Sequence, residues 1–292
     1  HVIQAKIMKK DYLIAGHRIR VEGDQEWVDA VTALDGFAPF ESDEEADPIA
    51  IFAATDEDAP EMMQKQYESA AEGITDSFGR YSKGYLFVMM TQEGDSLCLW
   101  KEDGCQVVHF KGQFSPRLVR FALWIAYGLC TAAHSTIAIH TSAIQYNDRA
   151  VLFLGESGTG KSTHTRLWRE NINGALLLND DSPILRVIDG KPVIFGSPWS
   201  GKTPCYRQVC YPLAACVRLS QAPYNKIHRL SILQAYAALH PSCPPDFTYD
   251  NGLYDHISKT IGEVISQVPM FHLECLPDPD AAFLSCKTIF EV

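Results

Sequence analysis

VLFLGESGTGKSTHTRLW, Val151 to Trp168, decides the fold. An apolar opening reads as a buried strand, a glycine-rich turn follows, and the end has helical spacing. Gly155-Glu156-Ser157-Gly158-Thr159-Gly160-Lys161-Ser162 fits G-x-x-x-x-G-K-[ST] at every position. The pattern has a physical reason. Glycines let successive backbone N–H groups point inward as an anion nest. The helix that follows turns its positive N-terminal end to the same spot. Lys161 is placed to reach β- and γ-phosphates, and the Ser162 hydroxyl to ligate Mg²⁺. The stretch predicts a nucleotide-binding α/β domain.

A phosphate loop does not define a reaction. LLLNDDSP, Leu176 to Pro183, supplies a second half: an apolar strand ending in Asp180-Asp181. In phosphate-loop proteins an Asp at such a strand end holds the Mg²⁺ shell. A carboxylate beside a metal-bound triphosphate is also placed to take a proton from an attacking hydroxyl. The plainer alternative for one of the two is a turn cap before Pro183.

Outward from this centre the chain has two textures. Before Phe114, short β-like runs dominate: YLIAGHRIRV, IAIFAA, GYLFVMM, SLCLW and QVVHF, the last three spaced as an antiparallel meander. The acidic run Glu41–Asp47 reads as a solvated loop. A helix is expected from Ser115 to Ala133, capped by Ser115 with Pro116 first. TIAIHTSAI reads as a strand and Asn147-Asp148 as a turn. ILRVI and PVIFG flank Asp189-Gly190, a hairpin signal. AACVRL and FHLECL read as strands. LSILQAYAALH, LYDHISKTIGEVISQV and DAAFLSCKTIF read as helices. The expectation is a β-rich α+β domain over residues 1–114 and an α/β phosphate-loop domain over 115–292.

The totals set limits. The 292 residues carry a net charge of −11 and are 46% hydrophobic, an ordinary globular composition. So acidic a chain repels a phosphate backbone, so nucleic acid is not an expected partner. The longest apolar run, Phe121 to Ala133, falls short of the roughly 20 residues that span a bilayer, and no membrane is expected. The nine scattered cysteines form no CxxC pair. With no secretory-signal pattern at the start, they read as reduced thiols in a cytoplasmic protein.

IAIHTSAI, VLFLGESGTGKST and LLLNDDSPILRV together resemble the catalytic domain of HPr kinase/phosphorylase and its serine-kinase relatives, which share a fold with phosphoenolpyruvate carboxykinase. The resemblance covers roughly residues 134–290. It rests on the loop combined with an upstream His, a short Lys-to-acid spacing and the Asp-Asp pair. It implies ATP and Mg as cofactors, with the loop from Gly155 to Thr163 around the phosphates and Ser162 and Asp180 at the metal. It implies Asp181 as proton acceptor, His140 near the active centre, and a homo-oligomer. The acceptor it implies is a hydroxyl, such as serine, in a protein, a peptide or a small molecule.

Two further segments complete the expectation. In GSPWSGKTP, Gly196 to Pro204, Lys202 is placed to neutralise phosphate charge and Trp199 to wall a pocket; a surface turn with a packed Trp explains the same residues. In NKIHRLS, Asn225 to Ser231, Arg229 suits the charge of a transferring phosphoryl group; a solvated helix N-terminus suits it equally. VIFGSPWSGK, Val193 to Lys202, carries no carboxylate, whereas the bifunctional enzyme has a metal-binding Glu in the corresponding segment. Two alternatives stay open: a nucleotide-binding regulatory module without transfer chemistry, and a carboxykinase-like enzyme acting on a small oxo acid.

Overall fold

The computed structural model describes residues 6–291. The chain divides into two compact units. One runs up to Ala133 and includes Pro245–Tyr254; the other comprises His134–Pro244 and Asp255–Val292.

In the first unit, eight strands form one mixed sheet. They are β1 (Met8–Ile14), β2 (His17–Gly23), β3 (Ala50–Ala54), β4 (Gln64–Ala71), β5 (Ile74–Tyr81), β6 (Gly84–Thr91), β7 (Ser96–Glu102) and β8 (Val107–Gly112). Their order is β1-β2-β3-β8-β7-β6-β5-β4, parallel only at β2–β3 and β3–β8. The run YLIAGHRIRV is two strands rather than one. Ala15 and Gly16 both take positive φ, 51° and 77°, and fold it into a hairpin. The meander β6–β7–β8 is antiparallel as its spacing predicts.

Helix α1 (Gln25–Thr32) begins at Asp24, whose side chain accepts from Trp27 N at 3.0 Å. Trp27 is fully buried, donates Nε1–H to Phe52 O at 3.1 Å, and lies 4.7 Å from the Phe110 ring. Helix α2 (Pro116–Thr131) starts at the expected place, although the Ser115 side chain makes no capping bond. It buries Leu118, Val119, Leu123 and Ile125, each contributing about 1.5–3 kcal/mol relative to exposure. This helix counts with the first unit. A boundary at residue 114 places it in the second, because Pro116 looks like a fresh start to a sequence reader.

The segment Pro245–Tyr254 returns to this unit. Phe247 packs edge-on against Phe78 at 5.3 Å, and Asp250 accepts from Tyr85 Oη at 2.6 Å and Gln66 Nε2 at 2.9 Å. Asp246 and Asp76 are both buried.

The second unit is a nine-stranded sheet built around the loop. Its strands are β9 (Thr136–Ala138), β10 (Ser142–Tyr146), β11 (Arg149–Leu154), β12 (Leu176–Asn179), β13 (Ile184–Ile188), β14 (Lys191–Phe195), β15 (Cys210–Gln221), β16 (Lys226–Arg229) and β17 (Met270–Cys275). Its helices are α3 (Lys161–Asn171), α4 (Ile232–Leu239), α5 (Asn251–Gln267), whose first residues count with the first unit, and α6 (Pro279–Phe290). The path runs β12-β10-β11-β15-β14-β13-β9, and β17 joins β15 to β16. β11, β15 and β17 are parallel. The Asp189-Gly190 hairpin forms with positive φ at both residues, 51° and 76°. Phe153, Trp168 and Phe290 pack between β11, α3 and α6. Among the described residues no helix is long and apolar enough to cross a membrane.

Burial and the neighbouring Asp76 push the Asp246 carboxyl up to about 7 from its ordinary 3.8, and burial raises Asp76 as well. Between those values the folded chain holds more protons than the unfolded one, so this pair makes stability fall as pH rises through the window. Asp246→Asn is expected to flatten that fall by roughly 1.4 kcal/mol per pH unit where one proton is in play. Urea denaturation of both proteins at pH 5 and pH 7.5 measures it. An unchanged pH slope contradicts the raised Asp246 carboxyl.

Candidate functional site

The glycine loop leaves the end of β11 and runs into α3. Gly155, Gly158 and Gly160 have φ of 151°, 85° and 100°. Gly160 is the left-handed N-cap of α3, a conformation in which a Cβ is strained. Lys161 Nζ donates to Gly155 O at 2.5 Å and Glu156 O at 3.1 Å, so the ammonium sits over the loop. Burial lowers its pKa, while Asp180 and Asp181 act the other way. Glu156 and Ser157 are exposed at the tip.

The acidic turn stands across from it. Asp180 Oδ1 accepts from Ser162 Oγ at 3.1 Å and from Ser142 Oγ at 2.9 Å; Oδ2 accepts from Thr203 N at 3.4 Å. Asp181 Oδ1 lies 3.1 Å from His140 Nδ1, and both side chains reach solvent. His140 is in place because TIAIHTSAI is not one strand. The chain breaks between β9 and β10, where His140 N donates to Ser242 O and Thr141 N to Asp181 O.

The loop therefore brings together Lys161, Ser162, Asp180, Asp181 and His140. Lys202 is exposed on the loop after β14, next to Gly201, where an added Cβ meets Asp180 O at 2.8 Å. Arg229 stands apart. It lies on β16, three strands from β11, roughly 14 Å away at the usual strand spacing. Residues 226–229 are a strand rather than a helix start; the helix begins later, at the Ser231 capping box. Trp199 is buried at 2% exposure, a packed core residue rather than a pocket wall.

The donor set fits a Mg·nucleotide. Among the described residues no three His, Cys, Asp or Glu side chains converge into a metal cage. Mg²⁺ held with phosphates takes only one or two protein ligands. The Ser162 hydroxyl and Asp180 carboxylate, hydrogen-bonded to each other, could supply that pair. The chain matches no family model and no curated protein.

Sequence reasoning passed over Asn179 and Ser142, although both lie in the quoted segments. Asn179 is completely buried. Its Oδ1 accepts from Asp181 N at 2.8 Å and Ser182 N at 2.9 Å; its Nδ2 donates to Trp199 O at 2.9 Å and Ser197 Oγ at 3.3 Å. A polar residue ending an apolar strand was the available signal, read only as the lead-in to the acids.

The α3 helix is anchored from beneath. His164 is buried against Ser285 Oγ at 3.0 Å, and burial lowers its pKa to about 4. Asn179→Ala strands two N–H groups and a carbonyl, at about 1–3 kcal/mol each. The expected loss is several kcal/mol, against about 1 kcal/mol for Ser142→Ala, read as shifts in the urea midpoint. Equal small shifts for both variants contradict the role given to Asn179.

Proposed function

We propose that the second unit binds Mg·ATP on the glycine loop and transfers the γ-phosphoryl group to a hydroxyl, as the serine-kinase relatives of HPr kinase/phosphorylase do. The observation that carries this reading is the meeting of Ser162 with Asp180 at 3.1 Å, with Asp181 and its His140 neighbour directly beside them.

Each residue has a role that its position supports. Loop amides and Lys161 hold the phosphates. Ser162 and Asp180 hold the metal side. Bound Mg·ATP supplies the phosphoryl group and the charge neutralisation that its metal brings. Asp181 takes the proton from the acceptor hydroxyl as its oxygen bonds to phosphorus, and ADP leaves with the former bridging oxygen. His140 orients that carboxylate. Lys202 adds positive charge at the mouth of the site.

The acceptor class is a serine-like hydroxyl in a protein, a peptide or a small molecule. The distance of Arg229 favours, as a second reading, a nucleotide-binding module without transfer. The two readings differ in one readout, acceptor-dependent ADP release.

Asp181→Asn is expected to leave Mg·ATP binding intact and to lower transfer by about 10²–10⁴-fold, the usual contribution of a general base. Transfer of labelled γ-phosphate to seryl peptides and free serine measures this. Full transfer by the variant removes Asp181 from the role. Failure of the wild type with every hydroxyl acceptor favours the module.

A further inference from the structure

A cavity of about 450 Å³ opens on the other side of the glycine loop. Leu167, Ala222, Leu276 and Pro277 line it, together with the more polar Thr163 and Gln221. It lies at the carboxyl ends of the parallel strands, where β15 ends at Gln221 and β17 at Cys275. In open α/β sheets ligands bind at those ends.

Helix α3 separates this cavity from the acidic turn. Ser162 and Thr165 face Asp180 and Ser142. Thr163 and Leu167, one helical turn apart, face the cavity. The sheet order repeats the division. β12 and β10 lie on one side of β11, and β15 with β17 on the other. The glycine loop sits at the junction, so a group held on its amides has two unlike exits. One is lined by carboxylates and His140. The other is apolar and of the size that takes small organic ligands.

We infer that the apolar cavity is the nucleobase subsite, and that the acceptor hydroxyl approaches from the opposite, His140–Asp181 side. This rests on the nucleotide reading above. A planar base matches walls of Leu, Ala and Pro, and it is joined through its ribose to phosphates on the loop. Gln221 adds a polar group. Its Nε2 donates to Gly158 O at 3.2 Å, which ties the lining to the loop and leaves the carboxamide oxygen to accept from a base N–H. Ala222 N donates to Cys275 O at 3.1 Å, so the two strand ends that form the wall are joined to each other.

The test is calorimetric, with Mg·ATP and Mg·tripolyphosphate titrated into the full chain and into Ala222→Phe, which fills the cavity. The wild type is expected to bind ATP at least about tenfold more tightly than tripolyphosphate, about 1.4 kcal/mol. In the variant that ratio falls to near one while tripolyphosphate affinity holds. Leu276→Asp, at a position already 37% exposed, makes the same comparison should Ala222→Phe lose tripolyphosphate as well. A variant that binds tripolyphosphate and keeps the ATP preference overturns the subsite and leaves the phosphate loop standing. No binding of either ligand to the wild type overturns both.

Discussion

The site depends on one buried amide. Asn179 ends β12 inside the protein and makes four side-chain hydrogen bonds there. Two of them fix the backbone of the acidic turn, and two hold the loop that carries Trp199. A buried carboxamide with every donor and acceptor used is costly to rearrange, because each alternative leaves a polar group without a partner. The positions of Asp180 and Asp181 follow from it. So does the close approach of the loop after β14, where Gly201 has no room for a side chain beside Asp180 O.

A second constraint acts from the other side of the glycine loop. α3 carries Lys161 and Ser162 at its start, and its later turns are packed into the core through His164, Leu167 and Trp168. His164 is held neutral by burial and meets both Ser285 and Trp168. The exposed tip at Glu156 and Ser157 is thus mounted on a helix packed into the core. Such an arrangement lets a loop close on an anion while its dipole stays aimed.

Much of this was legible in the sequence, for identifiable reasons. The strand–loop–helix around Lys161, the helix after Ser115 and the Asp189-Gly190 hairpin each carry a local signal: periodicity, a cap or a turn dipeptide. Other features depend on distant partners. QKQYESAA and ITDSFGRY form β4 and β5, yet they are polar and lack a clean alternation. TIAIHTSAI looks like a single strand, but its middle is drawn to Ser242 O and Asp181 O, which puts His140 in the site. Arg229 looks equivalent to Lys202 on paper; the strand order sets it three strands away. For Trp199 the sequence left a pocket wall and a packed residue both open, because burial is a property of the assembled sheet. The return of Pro245–Tyr254 to the first unit, through Phe247 and Asp250, likewise carries no local signal.

On the reading proposed above, the loop from Gly155 to Ser162 is a working triphosphate site. The most direct measurement is isothermal titration of Mg·ATP into the wild type and into Lys161→Ala. The expected result is one site per chain in the wild type and a loss of affinity of at least about tenfold in the variant. Absence of binding to the wild type, or equal binding to both proteins, contradicts it.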